Sequence, residues 1–230
     1  MSNNLNDYSV LIAVPSTGYV PTEFMESLLK LQKPKKTQFA MISGSLVYNA
    51  RNKLALQAFR DPQPDYIFWL DSDMVFEPDT LLRLLADAVE NDLDYITGLY
   101  FKRTYPTTPL IGKTLEWEQD RHTGALMKAE ADPYTDYPKD SIFEIKCSGF
   151  GCLLMKTSII AEAAELRRAS PFEPLPGLSE DYSFCYTIKQ LGKRMWCDSA
   201  VKAGHVGKYI YGEDTWIKQQ EDPTNDGNEL

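Results

Sequence analysis

The stretch Asp65-Tyr66-Ile67-Phe68-Trp69-Leu70-Asp71-Ser72-Asp73 decides the fold. Its apolar run is short, rich in aromatic and β-branched residues, and does not alternate. Such a run marks a strand buried on both faces of a parallel sheet. Two carboxylates come next, where that strand should end. In open α/β sheets, ligands sit beyond the carboxyl ends of the strands. Two hard oxygen donors there suit Mn²⁺ or Mg²⁺, ions that substrate phosphates often complete. A second Asp-x-Asp pair, Asp92 and Asp94, falls between a helix pattern and the next strand, where a solvated turn explains it. Position rather than spacing therefore singles out Asp71 and Asp73.

Working outward from this stretch gives alternating elements. Tyr8 to Val14 reads as a strand that ends in Pro15-Ser16-Thr17-Gly18. Thr22 then caps a helix whose apolar stripe is Phe24, Met25, Leu28 and Leu29, and Pro34 ends it. Thr37 to Ile42 is a second strand. Leu46 to Phe59 is a second helix, with Leu46, Val47, Ala50, Leu54 and Ala58 facing inward. Beyond Asp73, Pro78 opens a third helix with Leu81, Leu84, Leu85 and Ala88 at helical spacing. Asp94 to Tyr100 is a fourth strand. This alternation implies an α/β fold with a mostly parallel sheet flanked by helices.

The second half is less regular. Residues 102–140 are proline-rich and aperiodic and read as loops with one or two short hairpins, one of them around His122-Thr123-Gly124. Ile142 to Lys146 and Cys152 to Lys156 read as strands, and a small antiparallel β element is expected in this second half. Between them, Ser148-Gly149-Phe150-Gly151 allows close backbone approach to a ligand, or a bulge. Thr157 to Arg168 is a helix, Ser179 caps another that ends near Gly192, and Met195 to Cys197 is a short strand. We expect one domain over residues 1–211 and an acidic tail over 212–230 that is partly frayed.

Composition narrows the function classes. The net charge of −9 argues against a general nucleic-acid or membrane binder, although residues 1–60 are locally basic. No apolar run has the length of a membrane span, and the N-terminus has no signal pattern. Cys147, Cys152, Cys185 and Cys197 form no Cys-x-x-Cys pair, so buried free thiols are expected rather than a zinc site. The chain reads as soluble and cytoplasmic.

Two further residues carry chemistry. Asp181 heads a helix, and Phe184, Cys185 and Ile188 stand at i+3, i+4 and i+7 from it. It therefore lies on the core-facing stripe, one turn beyond its apolar part, and should look into a cleft. An acid in a first helical turn also favours the helix dipole, which is the plainer explanation. His205 sits in Ala203-Gly204-His205-Val206-Gly207, which reads as a glycine-flanked loop. A neutral imidazole is a suitable partner of carboxylates around Mn²⁺-like ions.

The order of these segments resembles the GT-A (Rossmann-like) glycosyltransferases. Tyr48-Asn49-Ala50-Arg51-Asn52-Lys53 followed by Leu70-Asp71-Ser72-Asp73 is similar to the pattern of the large family 2-like group. Leu178 to His205 is similar to the end of polypeptide N-acetylgalactosaminyltransferases. The resemblance spans roughly residues 8–208. It implies a metal-dependent enzyme that moves a sugar from a nucleoside-diphosphate sugar, UDP-linked by expectation, to an acceptor hydroxyl. Pro15, Ser16, Thr17, Arg51, Asp71, Ser72 and Lys208 are then donor-binding, and Asp71, Asp73 and His205 hold Mn²⁺ or Mg²⁺. Asp181 is the general base of an inverting transfer, which is favoured over a retaining one in which Asp181 would only orient the substrate, while Gly149, Phe150 and Glu180 face the acceptor. The end of the second strand, Met41-Ile42-Ser43-Gly44-Ser45, lacks the acid that family members often place there. Two rivals stand beside this reading: a sugar nucleotidyltransferase, and a non-catalytic nucleotide-sugar-binding module. The acceptor is open among a glycan, a small molecule, a protein and, less favoured, a modified base in nucleic acid.

Overall fold

The computed structural model describes residues 4–44, 46–60, 62–207 and 210–221. In chain order the elements are β1 (Ser9–Ser16), α1 (Thr22–Lys30), β2 (Lys36–Ser43), α2 (Val47–Ala58), β3 (Tyr66–Leu70), β4 (Met74–Phe76), α3 (Thr80–Glu90) and β5 (Tyr95–Leu99). Then come β6 (Ile111–Gly112), β7 (Glu116–Gln119), β8 (Leu126–Glu130), β9 (Ile142–Ile145), β10 (Cys147–Ser148) and β11 (Cys152–Lys156). The last are α4 (Ser158–Arg167), α5 (Glu180–Gln190), β12 (Met195–Val206), β13 (Ile210–Tyr211) and α6 (Glu213–Glu221).

The unbroken apolar run of β3 has a direct cause. Alternate side chains of a strand point to opposite faces, and both faces are covered. Ile67 and Trp69 enter a core built with Leu54 and Ala58 of α2, Ile160 of α4 and Phe184 of α5. Tyr66, Phe68 and Leu70 enter a second core with Phe24 of α1 and Leu81, Leu84 and Leu85 of α3.

The main sheet runs β13-β12-β5-β11-β3-β1-β2. Strands β2, β1, β3, β5 and β12 share one direction. β11 threads between β3 and β5 and runs against both, so the fourth strand of the sequence reading is not a direct neighbour of the third. β6 with β10, and β7 with β8, form two small antiparallel sheets. The β7–β8 turn lies where a hairpin is expected, and the Asp120 carboxylate accepts from the backbone N–H groups of His122 and Thr123.

Several local expectations are corrected. Thr22 is the first helical residue and Pro21 holds the N-cap position. Met25 and Leu29 are exposed, because α1 turns Phe24 and Ser27 inward. Leu46 and Val47 are exposed at the start of α2, which buries Ala50, Arg51, Leu54, Ala55 and Ala58 instead. His205 lies in β12, not in a loop. A register shift between Asp198 and Lys202 lets this long strand leave β5 and pair with β4 and β13. The acidic C-terminal stretch is helical over Glu213–Glu221, and residues 222–230 lie outside the described residues. All four cysteines are free and buried. Among the described residues, no helix is long and apolar enough to cross a membrane.

Candidate active site

Parallel strands β1 and β3 end side by side, and the residues beyond both ends enter one cleft. The cleft has a volume of about 280 Å³ and is lined by Pro15, Ser16, Thr17, Arg51, Asp71, Ser72, Asp73, Arg103, Glu180, Asp181 and His205, with Val47 and Ala50. Most of the residues singled out in the sequence therefore meet. Asp92, by contrast, is exposed at the opposite end of the sheet, where Lys156 pairs with it.

Arg51 is the centre of the charge arrangement. It is only 2% exposed. Its Nη2 donates to Asp71 Oδ1 at 2.8 Å and its Nε to Glu180 Oε1 at 3.1 Å. The guanidinium lies 5.5 Å from the Trp69 ring centroid and 5.1 Å from that of Phe150. Burial alone lowers an arginine pKa, but Asp71, Glu180 and Asp181 overcome that and raise it. Arg51 thus works on carboxylates from below the cleft. Phe150 is buried against it.

Asp73 faces Arg103 and His205. Its Oδ1 is 3.3 Å from His205 Nε2, and its Oδ2 pairs with Arg103 Nη1. His205 Nδ1 lies 3.1 Å from the Phe101 carbonyl oxygen. A carbonyl only accepts, so Nδ1 carries the proton and Nε2 turns its lone pair or second proton toward Asp73. Burial is the largest influence on His205 and opposes its protonation, yet the hydrogen bond and charge of Asp73, the Phe101 carbonyl and Asp71 together outweigh it and raise the pKa. Burial likewise pushes the Asp73 carboxyl up, and His205 and Arg103 together bring it below the usual range. Pairing of the strands holds this contact: His205 is opposite Met74, and the Val206 N–H donates to the Asp73 carbonyl at 2.8 Å.

The donor set bears on a metal. Among the described residues, no three His, Cys, Asp or Glu side chains gather closely enough to enclose an ion. Asp73 and His205 are an oxygen and a nitrogen donor side by side. The bond from His205 Nδ1 to a carbonyl is the kind that orients ligating imidazoles through their far ring nitrogen. Two donors fit an ion completed by substrate phosphates better than a protein-only cage.

Asp181 lies in the first turn of α5, half-buried. Ser179 holds the N-cap position, but its hydroxyl donates to Asp181 Oδ1 instead of capping the backbone. The Tyr182 N–H donates to the same oxygen at 2.8 Å. Oδ2 faces Gly149, where an added Cβ would stand 3.4 Å from it. Burial, then the charge of Glu180, lifts the Asp181 pKa to about 6 against the pull of Ser179 and Arg51. Gly149 and Gly151 are required by close approach: the Tyr100 ring lies against both, and its Oη accepts from the Gly151 N–H at 2.8 Å.

Two residues here were not singled out in the sequence. Tyr100 stands just past the end of β5, where strand-end position is a usable signal. Arg103 lies in the aperiodic segment and has none. Lys208 lies outside the described residues.

A helix-flanked, mostly parallel sheet with an Asp-Ser-Asp strand end and a carboxylate heading a later helix defines a glycosyltransferase of the GT-A fold. The chain belongs to glycosyl transferase family 2, whose sequence profile matches residues 23–150. Among solved structures, A197 from STIV is similar, with 17% identity, a TM-score of 0.62, and coverage of 87% of this chain and 86% of that one. GalNAc-T7, solved with UDP, GalNAc and Mn²⁺, is similar with 13% identity and a TM-score of 0.59, over 88% of this chain and 44% of that one. At these identities the likeness is one of fold. No curated protein matches the sequence.

Proposed function

We propose that this glycosyltransferase moves a sugar from a nucleoside-diphosphate sugar, UDP-linked by preference, to an acceptor hydroxyl with inversion at the anomeric carbon. The observation that carries the reading is Asp181. Its carboxyl shares a cleft with Asp71, Asp73 and His205 and has its pKa lifted to about 6, so it is ionised at neutral pH and still basic enough to take a proton. The acceptor oxygen attacks the anomeric carbon, its proton passes to Asp181 Oδ2, and the bond to the diphosphate oxygen breaks. The nucleoside diphosphate leaves with the bonding electron pair.

Asp73 and His205 would hold a divalent cation, Mn²⁺ or Mg²⁺, with Asp71 beside them. Such an ion neutralises charge that develops on the leaving diphosphate. The GalNAc-T7 structure with UDP and Mn²⁺ supports this choice of donor and ion. Pro15, Ser16, Thr17 and Ser72 line the wall where the nucleotide would lie. Arg51, at the base of the same cleft, orients Asp71 and Glu180. Arg103 offers a half-exposed guanidinium for the diphosphate once an ion takes Asp73. We place the enzyme in the cytoplasm, a reading supported by four free, buried thiols. The test is the anomeric configuration of fresh product by NMR. Inverted product supports Asp181 as base; retained configuration refutes that role.

A further inference from the structure

A groove of about 710 Å³, larger than the Asp71–Asp181 cleft, lies elsewhere on the surface. It lies on the β7–β8 hairpin against α5, lined by Trp117, Glu118, Arg121, His122, Met127 and Tyr186 among others. The Trp117 and Tyr186 rings meet edge to face, with centroids 5.5 Å apart, and both are half-buried. Around them the side chains of Glu118, Arg121 and His122 make no hydrogen bond or ion pair among the described residues.

The hairpin is fastened to the segment that delivers the catalytic carboxylate. Trp117 Nε1 donates to the Pro176 carbonyl at 3.0 Å. At Gly177, φ is +79° and an added Cβ would stand 2.7 Å from Leu126 Cδ2 and 2.9 Å from Ala129 Cβ. Only glycine suits that conformation and that approach. Two residues later the chain enters Ser179-Glu180-Asp181. Tyr182 and Tyr186, one helical turn apart on α5, lead from Asp181 toward the groove. At about 1.5 Å per residue, Tyr186 stands about 7.5 Å along the axis from Asp181.

We propose that this groove is the remote acceptor subsite and that the acceptor is an oligosaccharide; this rests on the glycosyl-transfer reading above. A pyranose has an apolar C–H face and a rim of hydroxyls. Half-exposed aromatic rings match the face, being large apolar surfaces of low conformational cost. Each hydroxyl both donates and accepts, so a donor-only Arg121 and an acceptor-only Glu118 serve the same rim. A nucleic-acid strand fits poorly, because Glu116, Glu118, Asp120 and Glu130 outnumber Arg121 and Lys128 on the hairpin. The separation along α5 sets the length: one sugar presents its hydroxyl to Asp181 while a sugar further along rests on Trp117 and Tyr186.

The test titrates cellotetraose, chitotetraose, maltotetraose and mannotetraose into the wild-type chain by calorimetry, with saturation-transfer NMR to map the bound sugars. At least one should bind, and Trp117→Ala should weaken it by about tenfold or more. Because Trp117 also fastens the hairpin, Arg121→Ala and His122→Ala, at exposed positions, serve as a second pair, each expected to lose about threefold. The proposal is overturned if none of the four binds, if binding is unchanged in all three variants, or if only a sugar-free peptide occupies the groove. UDP with Mn²⁺, titrated into the same wild-type sample, separates the two readings. Nucleotide binding without saccharide binding overturns the subsite alone. Groove-dependent saccharide binding without nucleotide binding supports the subsite and removes the donor assignment.

Discussion

Replacing Arg51 by methionine should be among the most damaging single changes at the site, for a reason that is electrostatic rather than steric. Methionine keeps the length of the stem and can still pack on Trp69 and Phe150. It leaves Asp71 and Glu180 without their shared cation, with Asp181 close by. Removing one partner of a buried pair typically costs about 3–5 kcal/mol. Asp71 keeps 30% of its side-chain exposure and Glu180 12%, so water screens Asp71 more than Glu180. The lower end, about 3 kcal/mol, is therefore expected. In a chain of this size each kcal/mol moves Tm by about 2–4 °C, so the midpoint should fall by about 6–12 °C. Urea denaturation followed by circular dichroism at neutral pH gives the free energy. The triple variant Arg51→Met, Asp71→Asn, Glu180→Gln should recover about half of the loss or more, because the two carboxylates hydrogen-bonded to Arg51 are then neutral and only Asp181 keeps its charge. A loss below about 1 kcal/mol, or a triple variant no more stable than the single one, would refute the account.

Asp181→Asn should lower transfer by about 10²–10⁴-fold while leaving UDP affinity near wild type, measured by turnover and calorimetry. The wild-type rate should rise with pH through about 6, as the Asp181 carboxyl loses its proton, and that limb should vanish in Asp181→Asn. Asp73→Ala should abolish the Mn²⁺-dependent part of UDP binding and His205→Ala should weaken it less, since one loses a charge and the other a neutral donor; unchanged affinity in Asp73→Ala would sink the assignment. Away from the cleft, burial and the neighbouring Asp198 lift the Asp87 carboxyl to about 7. A raised carboxyl stabilises the fold below its unfolded value, about 3.9, and that gain is lost as pH climbs through the folded value. Asp87→Asn should therefore be more stable than wild type at alkaline pH and lose the advantage under acid conditions, as thermal melts across pH will show.

The parts legible in the sequence were those that depend on local pattern. The buried run before Asp71 predicts β3 because only a strand covered on both faces needs apolar residues at every position. Helical phase alone turns Asp181 toward the cleft where it is found. What stayed illegible depends on partners remote in sequence. A five-residue apolar strand such as β11 carries no mark of direction, so its antiparallel insertion beside β3 cannot be read. Leu46 and Val47 keep helical spacing, yet both are exposed, and Val47 lines the cleft. The glycines around His205 read as loop, whereas Gly204 admits Ile210 and Gly207 admits Arg103 and Tyr211 at close range. Arg103 has no periodic context at all; only the fold brings it to Asp73.

The buried guanidinium of Arg51 also bears on how the chain tolerates recombination. It joins a helix and a strand end from the first half to a helix from the second, over sequence separations of 20 and 129 residues. The family profile covers Arg51 and Asp71 but stops before Glu180. A chimera that keeps the first half and exchanges the second inherits a buried cation with an unfilled coordination, unless a carboxylate arrives at the head of the incoming helix. A crossover point that divides Arg51, Asp71 and Glu180 should therefore cost stability that the same exchange, made with a carboxylate restored at that helix head, does not.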